Sequence, residues 1–320
     1  MKYLEMVLRG HPDKIADQIS EMLVQKIGGH CAIETMIKGE QHNDYPHGIV
    51  NVFICGEINN PTPSTQIRKW VKVFLKDFYP KAHIKVLSVL STQSAEIDEK
   101  AQEGCGDNGV FYGGFDNTWS HIIKAIKYTA DIISTKHYDR YGFYPDGKTL
   151  YEFSDCGKLL RVFHNQQHFN EVETAEYIVW KNWLANIVSG ALIENRIHND
   201  FYALFINPAG SFIKAGCFAD CGLTGRKLAC DTSLGIFHNG GGAIFGKDIS
   251  KSDKSIALFL NALAKRYGVD KEYHGGCVIG ETEVENAPTS KETNAISYPY
   301  SLIKNIAREE EKHLKWYGLV

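Results

Sequence analysis

Apolar residues recur along this chain with two periods, and each period predicts a different kind of element. Residues repeated three to four positions apart predict amphipathic helices. These helices cover Ile15–Ile27, Ile67–Phe78, Trp119–Thr135, Glu171–Glu194, Lys254–Tyr267 and Tyr300–Lys312. Short apolar runs bounded by turn residues predict strands. These strands lie at Tyr3–Leu8, Cys31–Lys38, Ile49–Ile58 and His83–Leu90, on both sides of Asp155–Gly157, at Phe201–Ile206 and near Cys277.

The order of these elements predicts an α+β fold. Up to Leu90 the chain reads β-α-β-β-α-β, and a similar order recurs further along. Two or three units, each a sheet covered on one face by helices, are the natural outcome. We predict an N-terminal unit at 1–96, a central unit at 97–212 and a trimmed C-terminal unit at 213–320. A length of 320 residues is enough for such units.

Composition narrows the class of protein. The formal net charge is −3, so the whole chain offers no electrostatic reason to expect nucleic acid or an anionic membrane as partner. The first residues lack the apolar core of a secretory signal, and no apolar run approaches the roughly 18 residues of a membrane span. The eight cysteines include no pair of CxxC motifs, which argues against a zinc ribbon and favours reduced thiols in a cytoplasmic protein.

Anion binding by such a chain must come from local clusters of positive charge. One cluster lies among glycine-rich turns: Arg226, Lys227, Lys247, Lys251 and Lys254, interleaved with Asp220, Asp231, Asp248 and Asp253. Basic side chains neutralise phosphate oxygens, and carboxylates hold the Mg2+ that bridges them. This pattern predicts a polyphosphate site, although a solvated charged loop is the alternative. The segment Gly241–Lys247 fits the P-loop spacing, but Asp248 follows where Ser or Thr is required, so we reject that motif.

A second cluster, GHPDKIADQIS, opens the first helix at Gly10–Ser20. His11, Asp13 and Lys14 lie at its N-terminus, where anions are favoured. Asp13 alone could be a helix-capping residue. The three residue types together also suit a phosphate and its metal.

These blocks resemble the signatures of the S-adenosylmethionine synthetase family. Both clusters take part, as do GEI at Gly56–Ile58, Gln93-Ser94, GCGDNG, PDGK, NPAGSF, DCGLTGRK and GGGAIFGKDISKSDKS, all in the same order. The resemblance implies three intertwined β-α-β-β-α-β units in a pseudo-threefold arrangement. It also implies a homodimer whose sheets pack together and whose active sites are shared, with a dimer of dimers as a further possibility of assembly.

The resemblance implies that ATP and L-methionine are the substrates. His11, Lys148, Arg226 and Lys247 would be catalytic and would also bind ATP. The remaining ATP-binding positions are Asp146, Phe212, Asp220, Lys227 and Ala243. The methionine-binding positions are Glu57, Gln93, Asp107, Asp220 and Lys251. Two Mg2+ ions per site would use Asp13 and Asp253, and one K+ per subunit would use Glu34.

The chemistry explains why such a site needs no activated nucleophile. The methionine thioether is already nucleophilic, so the protein has to align it with the ribose C5′ and stabilise the departing triphosphate. We therefore predict transfer of the adenosyl group, followed by tripolyphosphate hydrolysis. Two alternatives stay open: a degenerate relative that acts mainly as a tripolyphosphatase, and a non-catalytic partner subunit.

Several positions depart from the family pattern. Arg9 stands where the family has Glu, Ser211 where it has Arg, and Asn239 where it has His. The segment Ser94–Gly106 is shorter than the family's gating loop, so we expect a more open or differently gated site. After Gly280 the family's usual ending is not recognisable, which would limit assembly to a homodimer.

Overall fold

The computed structural model describes residues 1–135, 146–168, 174–197, 202–267, 271–288, 296–312 and 314. Within these ranges the chain forms three four-stranded sheets. Each sheet has one face covered by helices and a hydrophobic core of its own. The predicted α+β fold of three intertwined units is confirmed.

The predicted helices and strands lie close to their expected bounds, and further short elements occur between them. In chain order they are β1 (Lys2–Val7), α1 (Pro12–Ile27), β2 (Cys31–His42), β3 (Tyr45–Ile58), α2 (Ser64–Leu75), β4 (His83–Thr92), α3 (Ala95–Glu103), β5 (Gly109–Phe115), α4 (Asn117–Thr135), β6 (Gly147–Phe153), β7 (Leu159–Gln166), α5 (Ala175–Glu194), β8 (Ala203–Ile206), β9 (Gly222–Leu223), α6 (Leu228–Asp231), α7 (Ser252–Tyr267), β10 (Lys271–Cys277), β11 (Glu283–Pro288), β12 (Ile296–Pro299) and α8 (Tyr300–Glu311).

The N-terminal sheet has the order β4-β3-β2-β9, with β3 and β4 parallel and β2 and β3 antiparallel. Alternate residues of these strands point to opposite faces. One face packs against α1 and α2 through Ile33, Ile54 and their neighbours. The other face is open and carries partly exposed apolar and acidic side chains, namely Glu34, Met36, Glu57, Leu87 and Val89.

The central sheet has the order β1-β6-β7-β8, and its core is closed by α4 and α5. The C-terminal sheet has the order β12-β11-β10-β5 and packs on α7 and α8. Strands β1, β5 and β9 each join a sheet whose other strands come from a distant stretch of chain. The sheets therefore cross the predicted bounds at residues 96 and 212, and those bounds stay a prediction.

One segment differs from its prediction. We expected Ser94–Gly106 to be a short loop, but it contains α3. The Ser94 hydroxyl accepts a hydrogen bond from the Ile97 N–H (3.4 Å), and acidic residues occupy the first turn, as suits a helix N-terminus. The predicted elements at 171–173 and 201 lie outside the described residues. No helix among the described residues is long and apolar enough to cross a membrane.

Helix α1 carries the first signature block and is buried on nearly all sides. Its N-cap is His11, whose Nδ1 accepts a hydrogen bond from the Asp13 N–H (3.2 Å). The alternative that Asp13 is the cap is therefore wrong. Gly28, with φ 66°, ends the helix in the left-handed region, as glycine commonly does just past a helix end.

Candidate active site

Residues 222–227 lie directly across the first turns of α1. The Leu223 N–H donates to Asp13 Oδ1 (2.9 Å), and the Gly225 N–H donates to Asp17 Oδ1 (2.8 Å). A Cβ at Gly222 would lie 2.1 Å from the Pro12 carbonyl oxygen, so only glycine allows this approach. The helix and the loop thereby bring together two signature blocks that are remote in sequence.

Asp13 is the centre of the first group of charged residues. Its side chain is only 1% exposed, and its Oδ2 accepts a hydrogen bond from Lys227 Nζ at 2.5 Å. Arg226 Nη1 lies 3.8 Å from its Oδ1. A buried carboxylate requires such partners, because an unpaired charge in the interior is costly. Two basic residues predicted to bind phosphate are therefore held at this carboxylate.

His11 borders the same group. Burial, and next the positive charge of Lys227, lower the pKa of His11 to about 4, against the opposing pull of Asp13 and Asp220. The imidazole is therefore neutral near pH 7 and offers hydrogen-bonding groups rather than a charge. Lys148 also contributes to this lowering, and its Nζ lies 2.5 Å from Glu5 Oε2 on the neighbouring strand.

Asp146 directly precedes β6, the strand that carries Lys148. Burial raises the pKa of Asp146 to about 6, while the hydrogen bond that its Oδ2 accepts from the Gly216 N–H (2.7 Å) opposes the rise. The charges of Asp220 and Asp13 add to the rise, which places this carboxyl beside the same cluster. The predicted residues His11, Asp13, Asp146, Lys148, Asp220, Arg226 and Lys227 therefore form one region.

A cleft of about 270 Å³ holds a second set of predicted residues. Its walls come from β2, β3 and the glycine-rich turn, and they include Glu34, Glu57, Thr224, Ala243, Phe245 and Lys247. Lys247 Nζ contacts an Asp253 carboxylate oxygen at the start of α7. A Cβ at Gly225 would lie 2.8 Å from the Ala243 Cβ, so the cleft is continuous with the loop beside Asp13.

Two carboxylates of the cleft stand on neighbouring strands of the open sheet face. Ala32 pairs with Glu57 and Glu34 pairs with Cys55, so the two acidic side chains are diagonal neighbours. Within the described part of the chain, neither forms an ion pair or a hydrogen bond. This arrangement favours a cation or an ammonium group between them.

The other predicted residues lie outside these contacts. Gln93 follows β4 and is buried, and its amide nitrogen and oxygen find no hydrogen-bond partner among the described residues. Asp107 is exposed, and its carbonyl accepts a hydrogen bond from Ser252 Oγ (3.4 Å) at the start of α7. The Phe212 N–H donates to His168 Nε2 (2.8 Å), and Lys251 is buried just before α7.

Further buried charged residues lie next to this region, and two of them, Asp17 and Glu21, were not singled out by the sequence analysis. Lys14 Nζ lies 3.1 Å from Asp17 Oδ2 and 2.5 Å from Asp231 Oδ1. Burial opposes the charge of Lys14, but the two aspartates outweigh it and hold its pKa above the ordinary value. Glu21 and Lys254 form another buried pair. The sequence signal that could have revealed Asp17 and Glu21 is their position on the face of α1 that carries no regularly spaced apolar residues.

The fit of a divalent metal can be judged from the donor set. Among the described residues, no three His, Cys, Asp or Glu side chains come together as a metal-holding group. Mg2+ commonly binds through one or two carboxylates, with substrate phosphates and waters completing its shell. Asp13 and Asp253 suit that role, because each already lies beside a lysine that a phosphate group could take over.

Comparisons with known proteins identify the family of this chain. A family model described as the S-adenosylmethionine synthetase C-terminal domain matches residues 215–278, which include Arg226, Lys227, Lys247 and Asp253. The S-adenosylmethionine synthase of Mycoplasmopsis pulmonis is 30% identical over 281 residues, covering 82% of this chain and 71% of that protein. The chain belongs to the S-adenosylmethionine synthetase family.

Other members of the family give the same picture. The S-adenosylmethionine synthase of Bifidobacterium adolescentis is 32% identical over 299 residues, covering 82% of this chain and 72% of that one. The solved structure of an unusual S-adenosylmethionine synthetase from Campylobacter jejuni superposes with a TM-score of 0.71 at 20% identity. That superposition covers 96% of this chain and 88% of the other, and it supports the fold.

Proposed function

We propose that this protein is a methionine adenosyltransferase, which converts ATP, L-methionine and water to S-adenosylmethionine, phosphate and diphosphate. One observation carries the proposal. In two separate pairs, Asp13 with Lys227 and Asp253 with Lys247, a carboxylate expected to hold Mg2+ contacts a lysine expected to bind phosphate. Membership of the family supports the same reaction.

These pairs suit a site that has to accept a highly charged substrate. Without ligand, each lysine neutralises the aspartate beside it, so little unpaired charge is buried. A triphosphate offers each lysine a new anionic partner, and each aspartate is then free for the metal that accompanies the phosphates. Asp13 and Asp253 would hold Mg2+, which would supply positive charge to neutralise part of the charge of the phosphates.

The reaction then follows from positioning and charge. The methionine sulfur attacks the ribose C5′, an S–C5′ bond forms, and the C5′–O5′ bond breaks with both of its electrons leaving on the triphosphate. Lys148, Arg226, Lys227 and Lys247 stabilise the charge that gathers on this leaving group. Because His11 Nδ1 accepts a hydrogen bond from the Asp13 N–H, the ring proton is on Nε2 and can be donated in a hydrogen bond to the departing oxygen.

The tripolyphosphate product is then hydrolysed in the same place. Water attacks one phosphorus atom, one P–O–P linkage breaks, and phosphate and diphosphate result. The cations that hold the leaving group during transfer can hold it again during this step. No separate hydrolytic site is therefore needed.

The cleft suits the amino-acid part of methionine and the monovalent cation. Glu34 and Glu57 offer two unneutralised carboxylates, one for K+ and one for the methionine ammonium group. Gln93 offers a buried amide without a hydrogen-bond partner among the described residues. A polar ligand or a second subunit would satisfy it.

The open face of the N-terminal sheet supports a homodimer with shared sites. Leu87 and Val89 are each 55% exposed on this face, on the edge strand β4, which pairs with the strand β3 that carries Glu57. Apolar side chains clustered on an open sheet face favour association. A second copy packed there would close the cleft from outside.

The test is an assay of the purified protein with ATP, Mg2+, K+ and methionine. We expect S-adenosylmethionine and phosphate in equal amounts, with Asp13→Asn reducing both. Lys312→Met is the control, because Lys312 is exposed and pairs only with Glu309 among the described residues. Phosphate without the sulfonium product would replace this proposal with the tripolyphosphatase. If neither S-adenosylmethionine nor phosphate forms, the proposal is replaced by that of a non-catalytic partner subunit.

A further inference from the structure

The turn that carries Lys247 is hydrogen-bonded to β2 by a short β-bridge. The Gly246 carbonyl accepts from the Ile33 N–H (2.7 Å), and the Asp248 N–H donates to the Cys31 carbonyl (3.1 Å). This bridge does not use the Gly246 N–H or the Lys247 carbonyl. Buried groups of this kind need partners.

Two charged side chains from different helices supply those partners. The Gly246 N–H donates to Glu21 Oε2 (3.1 Å) on α1, and Lys254 Nζ on α7 donates to the Lys247 carbonyl (2.9 Å). Glu21 Oε1 and Lys254 Nζ are themselves 3.0 Å apart. The four groups close a ring that fixes the backbone on both sides of the Gly246–Lys247 peptide.

Net stabilisation alone does not explain a buried ion pair, so a role in orientation has to be considered. The Lys254 side chain is 0% exposed and that of Glu21 is 8% exposed. Replacing a buried ion pair with apolar residues is often neutral or stabilising. Burial opposes the charge of Lys254, but Glu21 and Glu311 outweigh it and raise its pKa, so the ammonium group stays charged.

We propose that Glu21 and Lys254 are positioning residues, which set the direction in which Lys247 reaches the triphosphate. The inference rests on the function proposed above. Neither residue reaches the cleft, whose wall includes Lys247 itself. Both act through the backbone of Lys247, and an error of about 1 Å in the position of such a group can cost on the order of 10²-fold in rate.

Glu311 provides a matched control within the same cluster. Its Oε1 lies 2.6 Å from Lys254 Nζ, but it comes from α8 and has no hydrogen bond to the Gly246–Lys247 turn among the described residues. Glu311→Gln thus weakens one ion pair of Lys254 and leaves the ring intact. Lys254→Met and Glu21→Gln open the ring, and Lys254→Arg keeps its charge and its donors.

The first readout is the turnover number in two backgrounds. We expect Lys254→Met to lower kcat by about 10- to 100-fold, with Lys254→Arg partly restoring it and Glu311→Gln changing it less than about threefold. In a Lys247→Met background, Lys254→Met should cost less than about threefold, because the group it positions is gone. Equal losses in both backgrounds would overturn the proposal, since the pair would then act on the fold as a whole.

The second readout does not depend on activity. Hydrogen exchange of the Gly246 amide should be at least about tenfold faster in Lys254→Met and Glu21→Gln than in Glu311→Gln, under conditions where all variants are folded. If the wild-type protein forms no S-adenosylmethionine, the proposed function fails, and this exchange still tests the positioning of the turn. Unchanged exchange at Gly246 would overturn the proposal in either case.

Discussion

Asp13 and Lys227 are 214 residues apart in sequence, and yet Lys227 Nζ donates a hydrogen bond of 2.5 Å to Asp13 Oδ2. The contact joins the N-terminus of α1 to the loop that follows β9. It is possible because glycine at position 222 lets the loop approach the helix backbone closely. The residues of the candidate active site come together at this crossing.

The first prediction concerns Lys227 itself. Lys227→Met removes a cation from the proposed leaving-group site and leaves Asp13 buried with a more distant Arg226. We expect the rate of S-adenosylmethionine formation to fall by about 10²- to 10³-fold, as when a preorganised charge partner is removed. The measurement is the initial rate at saturating ATP and methionine. A loss of less than about threefold would show that Lys227 does not stabilise the triphosphate.

A second prediction concerns the open sheet face. Leu87→Glu places a charge on the proposed subunit interface, so the protein should become monomeric in light scattering and lose most of its activity. Ile178→Glu is the matched control, because Ile178 on α5 is also 55% exposed but lies on a different surface. If both variants keep the mass of the wild-type protein, the sheet face is not the interface.

A third prediction concerns α3, which occupies the place of the family's gating loop. His30 Nδ1 lies 2.5 Å from Asp98 Oδ1, and Lys304 Nζ donates to the Gln102 carbonyl (2.7 Å) at the end of the helix. Because these contacts hold α3 in place, limited proteolysis within Ser94–Gly106 should be slow and little affected by ATP and methionine. Asp98→Ala together with Lys304→Met should make it fast. Strong protection by ligand in the wild-type protein would contradict this account.

A fourth prediction concerns stability in acid. His164 is fully buried on β7, with its Nδ1 2.7 Å from the Thr149 hydroxyl, and burial lowers its pKa to about 4. The unfolded chain therefore takes up this proton first, near pH 6.5, and stability falls as the pH is lowered from about 6.5 to about 4. The loss from this residue is of order 3 kcal/mol. Measured by urea unfolding, the free energy of unfolding should fall less with decreasing pH in His164→Gln than in the wild type. Equal falls would show that His164 is not the source of the loss.

Helix α1 shows what the sequence could predict and what it could not. The spacing of Ile15, Ile19 and Leu23 predicted the helix and the face that packs on the N-terminal sheet. It did not predict that Asp17 and Glu21, on the remaining face, are buried as well. That burial comes from loops around residues 225 and 246, and hydrophobic periodicity contains no information about such long-range contacts.

Two missed elements have local causes. β5 contains Gly113, where a Cβ would lie 2.5 Å from the Asn261 backbone nitrogen. Close packing on α7 therefore requires glycine, which has a low propensity for strands and weakens the sequence signal of β5. α3 is short and polar, and its helical signal was a Ser94 cap followed by Glu96 and Asp98. Most candidate site residues were identified through whole signature blocks. The supporting charges Glu5 and Glu21 became evident only from the fold, and so did the pairing of Lys254 with Glu21.

The central claim is that the two lysine–aspartate pairs open to receive a triphosphate. A crystal structure with adenylyl imidodiphosphate, Mg2+ and methionine tests it most directly. We predict that phosphate oxygens lie within hydrogen-bond distance of Lys227 and Lys247, and that both lysines have left Asp13 and Asp253. A nucleotide bound elsewhere, with both pairs still closed, would contradict the account.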